Sequence, residues 1–166
     1  MKIVIIRGKS AGGKTTISNE LAKVLPDFVF VDIWKIKDMF EPLNIKDRSH
    51  NKIAKTATFH IMREAIKNIG TLNFLIQESR QATVKRYLRE YIKKYDYKLY
   101  SFFLDVDLDI ALKRNIEREK PTMPKKNFIE QTKKNKDKED ILINTSNKSI
   151  KQVIDLILKE IGENKS

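Results

Sequence analysis

A glycine-rich segment close to the N-terminus, residues 8–15, constrains the fold of this chain more than any other feature. It matches the pattern G-x-x-x-x-G-K-[ST] at every fixed position, and its residues are Gly8, Lys9, Ser10, Ala11, Gly12, Gly13, Lys14 and Thr15. Such a loop turns its backbone N–H groups around a phosphate, and it needs a strand before it and a helix after it. An apolar run, residues 2–6, precedes it, and Ile17 and Leu21 follow at helical spacing before Pro26. The sequence therefore predicts a strand–loop–helix unit that binds phosphate.

The polar residues of this loop have chemical roles that a plain turn does not require. Glycines allow the backbone to approach a phosphate closely, and the helix that begins near Lys14 directs its positive end at the same anion. We expect the Lys14 ammonium to reach the β and γ phosphates, and the Thr15 hydroxyl to bind Mg²⁺. Thr16 is a candidate for the α-phosphate. The loop thus predicts ATP and Mg²⁺ as cofactors.

Apolar runs alternate with helical patterns along the rest of the chain. The predicted strands are residues 2–6, 28–31, 72–77, 97–104 and 140–143, and each is separated from the next by a segment with helical spacing or by a polar stretch. This alternation is typical of βαβ units, in which a parallel sheet is covered by helices on both faces. We predict an α/β fold in one domain spanning residues 1–166.

Composition excludes several classes of protein. The chain has no cysteine, so disulfides and thiolate metal sites are excluded, and its two histidines are too few for a zinc site. The apolar start of the chain is far too short for a signal-peptide core or a membrane span. We therefore expect a soluble cytoplasmic protein that does not contact membranes.

The formal net charge of +12 has two interpretations. Contacts with the phosphates of a nucleic acid would use such a charge. However, 26 of the 34 basic residues are lysine and only 8 are arginine, which indicates a lysine-biased composition rather than an arginine-rich recognition surface. A basic protein also attracts small anionic substrates such as nucleotides. Nucleic acid stays a possible partner at this point.

Several features together resemble the small P-loop kinases of the polynucleotide-kinase-like and zeta-toxin-like group. They are the segment 3–16, Asp32 after the second strand, the Arg114 and Arg118 pair, and a last strand followed by Asn144 and Thr145. The resemblance implies a three-layer αβα fold with a five-stranded parallel sheet in the order 2-3-1-4-5. It also implies transfer of the γ-phosphoryl group of Mg-ATP to a hydroxyl or phosphate acceptor.

Two acidic residues stand where strands end. The resemblance implies that Asp32 contacts the acceptor hydroxyl, as a positioning group or a general base, although the same residue can simply cap the next helix. It also implies that Glu78 helps to hold Mg²⁺. Many relatives carry Asp one residue earlier, where this chain has Gln77.

Basic residues follow the fourth strand. Arg114 and Arg118 lie four apart on one helix face, and the resemblance implies that one of them stabilises charge on the transferred group. Solvated arginines are the alternative. We assign a lid to residues ~115–135 and an acceptor-binding helical region to residues ~36–70. The loop at 144–147 packs near adenine in related kinases, or is an ordinary turn.

The acceptor itself has no signature in the sequence. A nucleotide, a polynucleotide 5′ end and a small metabolite are all compatible with the pattern, in a monomer or a homodimer. Two other classes remain: a P-loop NTPase or switch without an acceptor, and a nucleic-acid-binding module in which ATP is secondary. A GTPase is disfavoured, because the segment after the last strand lacks the Lys and Asp of the base-reading motif.

Overall fold

The computed structural model describes residues 1–39, 49–70, 72–77, 79–117 and 125–163. Strands and helices in these ranges are β1 (Lys2–Gly8), α1 (Lys14–Val24), β2 (Phe28–Asp32), α2 (Ile33–Asp38), α3 (Ser49–Ile69), β3 (Asn73–Gln77), α4 (Gln81–Lys94), β4 (Lys98–Asp105), α5 (Leu108–Ile116), α6 (Lys125–Thr132), β5 (Ile141–Asn144) and α7 (Ile150–Ile161). None of the helices in this part of the chain is both long and apolar enough to cross a bilayer.

The strands form one parallel five-stranded sheet in the order β2-β3-β1-β4-β5, which confirms the predicted order. β1 lies in the centre, and its Ile5 pairs with Ile76 of β3 and Ser101 of β4. At the end of β2, Asp32 pairs with Gln77. Because all strands run the same way, the carboxyl ends of β1, β2 and β3 meet at one edge, where ligands of open α/β sheets bind.

Side chains of β1 alternate between two hydrophobic layers. Val4 and Ile6 pack into a core with α1 and α7, whereas Ile3 and Ile5 pack into a second core with α3 and α4. All four side chains are fully buried, as expected for a central strand that is covered on both faces. The predicted three-layer αβα architecture is therefore confirmed.

The last helix, α7, is defined by signals at both ends. Ser149 and Gln152 form a capping box in which each side chain bonds the other residue's backbone N–H. The helix ends at Gly162, whose φ of 69° is a left-handed conformation that glycine adopts without strain. The buried face of α7 includes Val153 and Ile157, which cover β1, β4 and β5 through the first core.

A buried ion pair lies at the end of β1 and was not foreseen from the sequence. The Arg7 side chain is 7% exposed and donates to the fully buried carboxylate of Asp140. Asp140 also accepts from Ser101 Oγ at 2.5 Å and from the backbone N–H of Asp137 at 2.6 Å. β5 begins at Ile141, one residue later than predicted. Asp140 precedes the strand, and its side chain is held by the ion pair with Arg7 and by Ser101.

Asp140→Ala should destabilise the protein strongly, because it leaves the Arg7 charge buried without its main partner. We expect a loss of about 3–5 kcal/mol in the free energy of unfolding, measured by urea denaturation. Asp137→Ala is the matched control, since that carboxylate also accepts from Arg7, at 2.8 Å, but is 35% exposed. The control should cost no more than about 1 kcal/mol. Equal losses in the two variants would contradict this account.

Candidate active site

The glycine loop is pressed against the backbone of β4. A Cβ atom on Gly8 would lie 2.2 Å from the carbonyl oxygen of Leu104, and one on Gly12 would lie 3.0 Å from the same atom. The Lys9 N–H donates to that oxygen at 3.0 Å. Larger residues at Gly8 cannot be accommodated, because the obstacle is backbone rather than a flexible side chain.

The start of α1 is left open to an anion. Gly13, with φ 85°, stands at the N-cap and has no side chain that could bond the first-turn N–H groups, and that turn contains no acidic residue. Thr15 and Thr16 are exposed at this end of the helix. Uncapped N–H groups and the helix dipole together favour a negatively charged ligand here.

The two lysines of the loop, Lys9 and Lys14, are both held in place by polar contacts. Lys14 Nζ donates to the Lys9 carbonyl at 2.8 Å, which holds its side chain across the loop. Lys9 Nζ pairs with Asp105 Oδ1 at 2.6 Å, where β4 ends. Ser10 is partly exposed between them. The loop is thus preorganised, and its lysines are oriented by contacts within the loop and with β4.

Thr15 lies beside Gln77, the last residue of β3. Its Oγ1 accepts from Gln77 Nε2 at 3.2 Å, while the Gln77 Oε1 is buried without a hydrogen-bond partner among the described residues. Exchanging the two ends of the amide would let Oε1 accept the Thr15 hydroxyl proton. A hydroxyl that binds Mg²⁺ through its oxygen needs such an acceptor, so the pair fits the metal. No group of three or more His, Asp or Glu side chains in the described ranges is arranged to hold a metal ion by itself, so phosphate and water oxygens would complete the shell.

A cavity of about 360 Å³ lies beside the glycine loop, and its lining includes Ala11, Gly13, Thr16, Arg114 and Thr145. Arg114 fixes one wall: its Nη1 donates to the Ala11 carbonyl at 3.3 Å and its Nη2 to the Thr145 carbonyl at 2.9 Å. Thr145 Oγ1 in turn donates to the Asp105 carbonyl at 2.9 Å. The guanidinium therefore joins the loop to the segment between β5 and α7.

Asp32 caps α2, which was one of its two predicted roles. Its Oδ1 accepts from the Trp34 N–H at 2.9 Å. The residue is partly exposed at the carboxyl edge of the sheet, next to Gln77 in the adjacent strand. Capping uses one carboxylate oxygen, so it is compatible with a second contact to a ligand.

A second cavity, of about 210 Å³, opens where β1 leads into the loop. Its lining is dominated by cations and is formed by Arg7, Gly8, Lys55, Ser79, Arg80 and Lys134. Partial burial, followed by the like charges of Arg7 and Arg80, lowers the pKa of the Lys134 ammonium. Of these residues, only Gly8 was among the site residues predicted from the sequence. Their separation along the chain left no local pattern to find.

Some predicted site residues lie outside the described ranges. They include Glu78 and Arg118, residues 40–48 of the acceptor-binding region and residues 118–124 of the lid. Arg114, by contrast, is described, and the structure places it at the wall of the larger cavity.

No protein-family model matches the chain. Among solved structures, a sugar kinase from a Janibacter species has a TM-score of 0.67 at 16% identity, covering 98% of this chain and 95% of that one. The tunicamycin resistance protein of Deinococcus radiodurans has a TM-score of 0.68 at 16% identity, covering 99% and 98%. The APS kinase of Mycobacterium tuberculosis, in complex with AMPPNP and APS, has a TM-score of 0.65 at 12% identity, covering 98% of both chains. The chain therefore has the fold of the small P-loop kinases over nearly its whole length.

Gly8→Ala should lower both stability and affinity for the ATP analogue AMPPNP, because the new methyl group forces the loop away from Leu104. We expect a loss of about 1–3 kcal/mol in the free energy of unfolding, the usual range for overpacking. Gly162→Ala is the control, since it also has a positive φ but faces open space. That control should leave AMPPNP affinity unchanged in calorimetric titration. Wild-type affinity in Gly8→Ala would show that the close contact with Leu104 is dispensable.

Proposed function

We propose that the protein transfers the γ-phosphoryl group of ATP to a hydroxyl or phosphate acceptor. The observation that carries this proposal is the glycine loop packed on Leu104, which presents uncapped N–H groups and Lys14 at the edge of the sheet. Fold similarity to a sugar kinase and an APS kinase over at least 98% of this chain supports the same reaction class.

The donor nucleotide is expected to occupy the loop and the larger cavity. Its phosphates would bind the N–H groups at the start of α1 and the Lys14 ammonium. The nucleoside would then extend into the 360 Å³ cavity, between the loop and the segment that contains Thr145. Arg114 contacts both walls, and it therefore holds the donor pocket in shape as well as adding positive charge.

Thr15 is the residue that would hold Mg²⁺, with Gln77 as acceptor of its proton. When bound there, Mg²⁺ would supply positive charge that offsets the negative charge on the phosphates during transfer. A neutral amide in this position orients the Thr15 hydroxyl without adding a negative charge. Glu78, next in the chain, remains a candidate for a water-mediated contact.

Asp32 is the candidate that would engage the acceptor. One oxygen of its carboxylate is used by the Trp34 N–H, and the other is available to orient an acceptor hydroxyl or to accept its proton. The position at the carboxyl edge of β2 is where ligands bind in open sheets of this kind. Lys35 lies one turn away on the exposed side of α2 and adds positive charge.

Lys14→Ala tests the donor half of the proposal. Loss of a charged contact to the phosphates should weaken AMPPNP binding about ten- to hundredfold, as judged from the usual strength of charge-assisted hydrogen bonds. Lys23→Ala, at an exposed position on the same helix, is the control and should bind normally. Unchanged affinity in Lys14→Ala would rule out the proposed phosphate site.

Asp32→Asn tests the acceptor half without removing the helix cap, because asparagine caps helices as well as aspartate does. In an assay of purified protein with ATP and a panel of acceptors, kcat should fall about 10²–10⁴-fold, while AMPPNP affinity stays normal. Asp27→Asn, at an exposed position just before β2, is the control. If every acceptor fails with the wild type, or if Asp32→Asn turns over normally, this role for Asp32 is wrong.

A further inference from the structure

We propose that the 210 Å³ cavity binds a dianionic oxyanion carried by the acceptor, as in a phosphate monoester. This inference rests on the proposed function, and it adds a substrate class to it. The cavity shares no lining residue with the larger one, and it adjoins the donor site only at Gly8, the first residue of the loop.

The charges around the cavity match a dianion. Arg7 is paired with Asp137 and Asp140, and Arg80 lies 3.8 Å from Asp137. Lys55 and Lys134 have no carboxylate partner among the described residues. Four cations and two carboxylates therefore leave a formal charge of +2 around the cavity. A phosphate monoester carries between −1.5 and −2 at neutral pH, whereas each diester of a nucleic-acid chain carries −1.

Ser79 provides a neutral hydrogen-bond donor in the same cavity. The residue is 3% exposed, and its Oγ has no hydrogen-bond partner among the described residues, although it lines a space surrounded by cations. A buried hydroxyl without a partner is costly unless a ligand or water satisfies it. An oxyanion in the cavity would accept its proton and remove that cost.

The position of the cavity assigns it to the acceptor. Lys55 comes from α3, within the region predicted to bind the acceptor, and Lys134 follows α6 at the end of the predicted lid. Gly8 places the cavity at the first residue of the phosphate-binding loop. An anionic group held here would lie near the transferred phosphoryl group without using the N–H groups at the start of α1.

The first experiment measures sulfate binding by calorimetry to protein saturated with Mg-AMPPNP. Wild-type protein should bind sulfate, and the double variant Lys55→Met/Lys134→Met should bind it at least about tenfold more weakly, since two charged contacts are lost. The control Lys93→Met/Lys159→Met removes the same charge at exposed positions and should change sulfate affinity less than about twofold, as expected for screened surface charges. AMPPNP affinity should be equal in all three proteins.

Ser79→Ala and a set of competitors sharpen the test. Ser79→Ala should weaken sulfate binding several-fold with no loss of AMPPNP affinity. Methyl phosphate should compete with sulfate better than dimethyl phosphate, because only the former is a dianion. Stronger competition by dimethyl phosphate or by a 5′-hydroxyl oligonucleotide would overturn the monoester assignment and favour a nucleic-acid acceptor.

The failures of the two proposals are distinguishable. If AMPPNP binds but sulfate does not, or if both double variants lose sulfate equally, the anion site is wrong and the kinase proposal stands. If AMPPNP itself does not bind, the proposed function fails, whatever the sulfate result.

Discussion

The contact between the glycine loop and the Leu104 carbonyl is the constraint on which the rest of the site depends. Pairing of β1 with β4 brings Gly8 against Leu104, and the Lys9 N–H secures that approach at 3.0 Å. The path of the loop then fixes where α1 begins, and hence where Lys14 and Thr15 stand. Because the contact is between backbones, no side-chain rearrangement can replace it. Backbone contacts with the sheet therefore determine the path of a loop that has almost no side chains of its own to pack.

The strands and the glycine loop were predictable because their signals are local, whereas the order of the strands was implied by the resemblance to small P-loop kinases. Buried strands appear in the sequence as short apolar runs, and the glycine pattern occupies eight consecutive positions. The cationic cavity was not predictable, because Arg7 and Lys134 come from opposite ends of the chain. The error at the start of β5 has the same origin. Asp140 adjoins an apolar run, but its place is decided by Arg7, which no window around residue 140 contains.

Asp32 is a residue whose place in the sequence is compatible with two different roles. A carboxylate after a strand and before a helix fits both a cap and a ligand-binding group, and the sequence could not separate them. The structure establishes the cap through the Trp34 N–H. It does so with one oxygen, in a place that opens onto the carboxyl edge of the sheet. Capping here orients the carboxylate, so the structural role prepares the group for the chemical role that we propose.

The open start of α1 has a consequence for the folded state as a whole. Gly13 supplies no cap, so the first turn of this helix is completed only by what binds there. Any ligand that binds the native chain and not the unfolded one adds RT ln(1 + [L]/Kd) to stability, about 2.7 kcal/mol at a hundredfold excess over Kd. Under the function that we propose, the phosphates of the nucleotide would supply the hydrogen-bond acceptors that Gly13 lacks. The resistance of the protein to heat and proteolysis would then rise with the concentration of nucleotide, so the ligand would act on the lifetime of the chain as well as on its reaction.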